Sequence, residues 1–468
     1  MPGKLNSRLL SNLLARLGRP RSVRRLGWML GGVAVSGALL AFSLPPHRLS
    51  PLAWFAFVPV MLAVRGLGFA VGFACALSTC FLAAWLDAQG VLLRPGVLDG
   101  SPGWIYTGFA LFGLVAAIAI GMWAASEKLR SRPWAIAAWA VLFEAALLVY
   151  LPAHMALSQS RSELMLGLAS WTGIWGVSYL VWLANFGLAK LILEHRRRVA
   201  FALAAVCAGA SLISLPAERG PLRIAFLQTR STDPDELKAL NARAGEMGAR
   251  LVVWPELSGS VAVIQGRVDD LVSLAKLPGQ PALVTSYEDA YEPLPHNVAQ
   301  VFSASGGSPI YLKRKLFAGE VNMHSAGANA AAAQLAGTTY GLNICFDSCF
   351  PNVMRDTAAL PDVGVILLPT LDPDTPYGVM QAIHAAYTPF RAAEIGLPIV
   401  RADITGHSMA FDARGRVLAE VGTEPDAIAI ADIRPGKRWT FASILGDWFL
   451  LICGALALLG LRPRPVTS

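Results

Sequence analysis

Residues 343–351 read Asn-Ile-Cys-Phe-Asp-Ser-Cys-Phe-Pro, and they hold Cys345 and Cys349, the only cysteines between residues 208 and 452. An apolar stretch, YGLNIC at 340–345, reads as a strand that ends in a cysteine. A short turn follows, and then a proline suited to begin a helix. A strand–turn–helix elbow of this kind is a way to present a nucleophile. Other readings of the pair are a small-loop disulfide and inert core thiols. Zinc fits poorly, because the local spacing is C-x3-C, no second Cys/His cluster follows, and His324, His384 and His407 are scattered. A nucleophilic Cys345 needs a base to form the thiolate, and a cation or backbone donors to hold an oxyanion.

Which reading holds depends on the compartment, and composition addresses that. Of 468 residues, 54% are apolar and 15% charged, well below the charge of an ordinary soluble domain. Apolar runs occupy roughly 27–44, 51–67, 68–86, 104–124, 133–151, 166–193, 199–215 and 444–461, each near the ~20 residues that cross a bilayer. A basic arm with Lys4, Arg8, Arg16, Arg19, Arg21, Arg24 and Arg25 precedes the first run. No clear cleavage site follows it, so a cleaved signal peptide is not expected. If the arm is cytoplasmic, every second loop should be basic too. Those loops carry Arg65, then Lys128, Arg130 and Arg132, then Arg196, Arg197 and Arg198, and the tail carries Arg462 and Arg464. The intervening loops hold few basic residues, among them Arg94 and Arg161. The net charge of +8 is mostly this topology signal, and nucleic-acid binding is not expected from it. The reading is a bundle of about eight transmembrane helices. A cytoplasmic arm covers 1–26, seven spans lie in 27–215, and a domain outside the cytoplasm covers 216–440. The last span is 441–461 and a cytoplasmic tail is 462–468. Outside the cytoplasm a disulfide can form. Cys75, Cys80, Cys207 and Cys453 lie within apolar runs as packing groups.

From Arg223 the texture changes to short β-rich runs. Candidate strands are 223–229, 250–256, 282–287, 298–303, 309–315, 340–345, 363–370, 398–403, 408–412, 417–421 and 428–433. Hairpin turns are expected at Ser305-Gly306-Gly307 and Ala413-Arg414-Gly415. Helical periodicity covers about 234–248 and 378–395, with a kink or break expected from Pro389. The mix is α/β with two sheets covered by helices.

Two further sites lie at strand ends. Glu256 in VVWPELSG follows a buried strand and a proline. Taken alone, a solvated strand-end glutamate is the commoner reading. In YLKRKLFAGE, strand alternation puts Lys313 and Lys315 on one face and Arg314 on the other, with Glu320 following. Taken alone, this is more often a basic edge strand that resists aggregation.

Taken in order, Glu256 in WPE, Lys313 in Y-x-K-x-x-L and Cys345 in IC-aromatic-acid resemble the Glu-Lys-Cys triad of the nitrilase, or carbon–nitrogen hydrolase, superfamily. Segments 42–61, 173–189, 390–408, 412–417 and 440–451 resemble its membrane-embedded branch, the apolipoprotein N-acyltransferases of the bacterial inner membrane. The resemblance implies a four-layer αββα sandwich in the periplasm. It implies that Cys345 takes an acyl chain from a phospholipid as a thioester, with Glu256 as base. Lys313 and the Phe346 N–H would hold the oxyanion, and Glu320 would support the site. The implied acceptor is the N-terminal amine of diacylglyceryl-cysteine on a lipoprotein. No metal or organic cofactor is implied, and a monomer is expected. The chain departs from the family where Cys-Tyr-Glu becomes Cys345-Phe346-Asp347, where LVPFGE becomes LFAGE, and where PTLDPDTPYG replaces the Asn-Asp-x-Trp-Phe-Gly pattern. Those departures keep two alternatives in view: a membrane-tethered amidase or acyltransferase with another amine or amide substrate, and a silent lipid- or lipoprotein-binding paralogue.

Overall fold

The computed structural model describes residues 20–88, 103–147, 154–259, 268–277, 280–289, 293–317, 319–372, 379–422 and 426–463. Lys4, Arg8, Arg16, Arg19, Arg94 and Arg464 of the topology argument lie outside these residues, as do 148–151 of the fifth apolar run and 373–378 of the altered segment.

The N-terminal part is helical. Its helices are α1 (Pro20–Ser43), α2 (Val58–Val64), α3 (Phe69–Ala88), α4 (Gly103–Ala125), α5 (Glu127–Arg130), α6 (Pro133–Leu147), α7 (Glu163–Thr172), α8 (Ile174–Leu193) and α9 (Arg197–Ser211). Among the described residues three stretches, Val23–Ser43, Phe69–Leu86 and Ile174–Leu193, are long and apolar enough to cross a membrane. The run at 51–67 is not one helix: a 3-10 turn, Ser50–Phe55, precedes α2. The run at 166–193 is also split. Gly173, at φ 69°, ends α7 and starts α8, a backbone geometry that glycine adopts without a Cβ penalty. Glu144, on α6, is fully buried. It accepts from the Met155 N–H at 3.1 Å and from Trp182 Nε1 at 2.8 Å.

The following domain is built on two sheets. The first contains β1 (Arg219–Gln228), β2 (Leu251–Val253), β3 (Ala282–Glu288), β4 (Asn297–Ser303), β5 (Gly306–Gly307) and β6 (Tyr311–Leu312). The second contains β7 (Ala331–Leu335), β8 (Thr338–Leu342), β9 (Val363–Pro369), β10 (Ile399–Ala402), β11 (Met409–Phe411) and β12 (Val417–Glu420). β13 (Ala427–Ile433) returns to pair with β1, giving the order β13-β1-β2-β3-β4-β5 with β6 beside β4. The other sheet runs β12-β11-β10-β9-β8-β7. Each has a parallel centre, β1–β2–β3 in one and β8–β9–β10 in the other, with antiparallel flanks.

Period-two alternation sorts the side chains into layers. Ile224, Phe226, Leu251 and Val253 of the first sheet share one apolar layer with Leu342, Val365, Leu367 and Val400 of the second. Ala225, Leu227 and Val252 face the other way, onto α10 (Pro234–Glu246) and α11 (Val268–Lys276). Ile366, Leu368 and Ile399 pack with α12 (Pro351–Ala358), α13 (Val379–Ala385) and α14 (Tyr387–Ile395). The expected 378–395 helix is broken at Ala386, just upstream of Pro389, whose missing N–H cannot continue the α13 ladder. The expected turn at Ala413-Arg414-Gly415 forms, whereas the other hairpin turns at Ala304-Ser305, with Gly306 and Gly307 already paired as β5.

Two strand expectations need correction, and one strand is unexpected. The stretch 309–315 is strand only at Tyr311–Leu312, and the alternation of Lys313, Arg314 and Lys315 does not apply. Lys313 is buried, Arg314 pairs with Asp356 at 2.8 Å, and Lys315 lies over the Phe350 ring at 4.9 Å. The stretch 250–256 is strand only through Val253, because Pro255 ends the ladder. The alanine-rich 331–335 is a strand that the sequence gives no β-propensity for. It is recruited by five pairings to β8.

The two parts are locked together. Glu394 at the end of α14 accepts from the Ile174 N–H at 2.6 Å, capping α8. Asp447 binds Arg355 at 3.0 and 2.8 Å and Trp175 Nε1 at 2.9 Å. Glu420 meets Arg48 at 3.1 Å and Arg161 at 2.8 Å. Gly396 (φ 69°) lets the chain turn from α14 into β10. A Cβ there would stand 2.0 Å from the Arg438 carbonyl oxygen. The chain closes with α15 (Phe441–Leu445) and α16 (Phe449–Leu461).

Candidate active site

The elbow forms as its residues suggest. After β8, the Asn343 N–H still bonds to the Leu367 carbonyl at 3.2 Å. A 3-10 turn at Cys345–Cys349 then leads into α12, with Pro351 at its first position. Cys345 takes φ 47°, a left-handed conformation rare for a side chain of its type and typical of strained functional turns. Asp347 holds the turn. Its carboxylate accepts from the Ile344 N–H at 3.0 Å, the Tyr311 hydroxyl at 2.7 Å and the Lys315 N–H at 2.9 Å. Asp347 thus ties the elbow to the segment that carries Lys313. Burial raises its carboxyl to about 6, against those hydrogen bonds.

Glu256, Lys313 and Cys345 arrive from three separate turns and meet. Glu256 follows β2, and its N–H bonds to the Thr370 carbonyl at 3.2 Å, bridging the ends of β2 and β9. Lys313 Nζ donates to Glu256 Oε1 at 2.8 Å and to Glu320 Oε1 and Oε2 at 2.7 Å each. Asn297 Nδ2 also donates to Glu256 Oε1, at 2.7 Å, and Asn297 is itself oriented by the Ser286 hydroxyl at 2.7 Å. The Phe317 N–H fixes Glu320 at 2.7 Å. Phe346 packs edge-on against Phe317 and Phe350 at 5.3 and 5.2 Å.

The charges are set by burial and by one another. Burial raises the Glu256 carboxyl, with Lys313 opposing. Burial acts against the Lys313 ammonium, but Glu256, Cys345 and Glu320 outweigh it and hold the amine above the usual lysine range. Burial and the nearby Glu256 push the Cys345 thiol well up. The resting cysteine is therefore a neutral thiol beside a carboxylate able to take its proton, with an ammonium alongside.

Several residues here escape the sequence reading. His384 is not scattered. Its Nδ1 lies 2.5 Å from Asp372 Oδ1, and its Nε2 lies 3.2 Å from the Cys345 carbonyl oxygen and 3.1 Å from Ser348 Oγ. Arg401 donates to Asp372 and, at 2.6 Å, to Asp403. Donor atoms of Cys345, Asp372 and His384 lie within 4.8 Å of one another, the spacing of a metal centre. Asp372, however, is already held by both His384 and the Arg401 guanidinium, which puts a positive charge where a cation would bind. Signals for these residues exist only as isolated polar side chains in apolar surroundings. Cys349 is a free thiol, as is Cys345. It packs with Phe350, Val353, Tyr387 and Phe390 toward the N-terminal helices, whereas Cys345 belongs to the layer between the sheets.

Residues 223–438, which hold both sheets and the cluster of Glu256, Lys313 and Cys345, match the Carbon-nitrogen hydrolase family. Residues 36–187 match the Apolipoprotein N-acyltransferase N-terminal domain, so the two matches take in most of the chain. The apolipoprotein N-acyltransferase of Geobacter metallireducens is 26% identical over 90% of this chain and 92% of its own length. That of Gloeobacter violaceus is 37% identical over 25% of this chain and 22% of its own. Among solved structures, an amidase from Nesterenkonia sp. is 24% identical over 50% of this chain and 99% of its own, with a TM-score of 0.41. The chain belongs to the apolipoprotein N-acyltransferase family.

Proposed function

We propose that this chain transfers an acyl group from a membrane phospholipid, through a thioester on Cys345, to the N-terminal amine of diacylglyceryl-cysteine on a lipoprotein. The observation that carries the reading is Cys345 on a left-handed elbow, within the field of both Glu256 and Lys313. Glu256 takes the thiol proton as sulfur attacks the ester carbonyl. The tetrahedral oxyanion is held by Lys313 and the Phe346 N–H. It collapses as the C–O bond breaks, and Glu256 returns the proton to the departing lysophospholipid hydroxyl. The acceptor amine then attacks the thioester and gives a proton to Glu256. The sulfur leaves and is reprotonated. Glu320 and Asn297 keep Glu256 and Lys313 in register, and Asp347 shapes the elbow.

In this reading the protein lies in the bacterial inner membrane with eight spans and both termini in the cytoplasm. Residues 216–440 form a periplasmic αββα sandwich between the seventh and eighth spans, and the chain works as a monomer. The apolar helices and the alternating basic loops support that arrangement.

Intact-protein mass spectrometry of the purified protein after incubation with phospholipid tests it. An acyl mass on wild type, lost on hydroxylamine treatment and missing from Cys345→Ala, is expected. Adding a diacylated lipopeptide should discharge it and yield a triacylated product. A thioester that the lipopeptide cannot discharge would point to another amine or amide acceptor. No adduct on reduced protein would support a silent lipid- or lipoprotein-binding role.

A further inference from the structure

His384 has no part in the scheme above, yet it is buried against the back of the elbow. Its Nε2 and the Ser348 hydroxyl both approach one atom, the carbonyl oxygen of Cys345, at 3.2 and 2.8 Å. Its other nitrogen is held by the Asp372 carboxylate at 2.5 Å, and Asp372 is fixed in turn by Arg401. With Nδ1–H given to that carboxylate, Nε2 donates to the Cys345 oxygen in the imidazolium form, whose charge Asp372 balances. The groups facing the imidazole are therefore one carboxylate, one guanidinium and the Cys345 turn.

The Cys345 carbonyl shares a planar trans peptide with the N–H of Phe346, so the two dipoles point in opposite directions. Whatever pins that carbonyl aims that N–H. Donors to a peptide oxygen also polarise the amide and strengthen its own N–H as a donor. We propose that His384, oriented by Asp372, is a positioning residue that acts through the Cys345–Phe346 peptide, together with Ser348, to orient and polarise the Phe346 N–H toward the oxyanion. This rests on the reading of the Phe346 N–H as an oxyanion donor. It explains why a histidine in the last turn of α13 is packed with a carboxylate partner beside a cysteine whose sulfur it does not bond. The sulfur instead contacts the Leu371 carbonyl at 3.7 Å.

A comparison of two reactions of the same cysteine tests it on full-length protein in detergent. Acylation by p-nitrophenyl butyrate and by phosphatidylethanolamine passes through an oxyanion. Alkylation by iodoacetamide, a direct displacement, does not. Ser348→Ala and His384→Ala should each slow acylation by roughly tenfold to a hundredfold, less than or comparable to removing an oxyanion donor outright. Their KM for the ester and their alkylation rate should stay at wild-type values. The alkylation rate also serves as the check that the elbow is folded. His384→Gln, which keeps a donor near the Nε2 position, should recover most of the acylation rate.

Acylation unchanged in Ser348→Ala and His384→Ala would overturn the proposal. A parallel fall in alkylation would also overturn it, by placing the effect on the thiol or on the fold. If wild type takes an acyl group from p-nitrophenyl butyrate but not from the phospholipid, the donor assignment fails. The His384 proposal is then still decided by the variants on the chromogenic ester. Wild type that alkylates but acylates with neither ester sinks both.

Discussion

Lys313 Nζ is shared between Glu256 Oε1, at 2.8 Å, and both carboxylate oxygens of Glu320, at 2.7 Å. The ammonium is 1% exposed, and Glu320 places a second carboxylate on it beside Glu256. Without it, Lys313 would be drawn wholly onto Glu256 and would lower that carboxyl's basicity. Glu320→Gln should therefore slow thioester formation by about tenfold to a hundredfold. Stability should fall by about 1–3 kcal/mol, since the neutral amide still accepts from the Phe317 N–H and from Lys313. Single-turnover acylation and thermal unfolding of the solubilised protein measure the two effects, and a wild-type acylation rate would contradict the assignment.

Cys349 fills space between the elbow and the N-terminal helices, and burial pushes its thiol upward, away from nucleophilic form. Cys349→Ala should take the acyl adduct as wild type does, at a stability cost of about 1–2 kcal/mol for the lost packing. Mass spectrometry of the adduct and a thermal melt check this. An adduct lost along with Cys349 would make it part of the chemistry.

Asp347 accepts three hydrogen bonds inside the domain, two of them from backbone. Asp347→Ala leaves the Ile344 and Lys315 N–H groups and the Tyr311 hydroxyl without that acceptor. Relief of the buried charge offsets part of the cost, and a net loss of about 2–4 kcal/mol is expected. Acylation should fall as the elbow loosens. A variant that melts with wild type would show that the turn is held by other means.

Glu420 joins the catalytic domain to Arg48 and Arg161 of the N-terminal part. Burial raises its pKa, but His407, whose Nδ1 lies 3.8 Å away, and the charges of Arg161 and Arg48 prevail and lower it to about 2. A carboxyl depressed in the folded state gives stability that is present above its unfolded pKa and lost as pH falls through the folded one. The clamp should weaken between about 4.5 and about 2. After solvent screening, it is worth about 1–2 kcal/mol at neutral pH. The difference in thermal stability between wild type and Glu420→Gln should be full at pH 7 and shrink across that acid window. A pH-independent difference would mean that the pair contributes packing and no charge interaction.

Much of the fold is legible along the chain, because its signals are local. The alternation of Ile224, Ala225, Phe226 and Leu227 assigns two faces to β1, and the apolar texture before residue 215 separates the helical part from the sheets. Cys345 before a turn and Pro351 marks the elbow, and the order Glu256, Lys313, Cys345 marks the site. What tertiary structure alone decided is which distant polar groups meet. His384 and Asp372 reach the Cys345 turn through the placement of α13 against the end of β9, and Asn297 reaches Glu256 through the pairing of β3 with β4. The alanine-rich β7 became a strand because β8 offered it an edge, against its own propensity. Residue type and period fix how a segment folds on itself. Contacts between segments depend on register and layer packing, which no local pattern records.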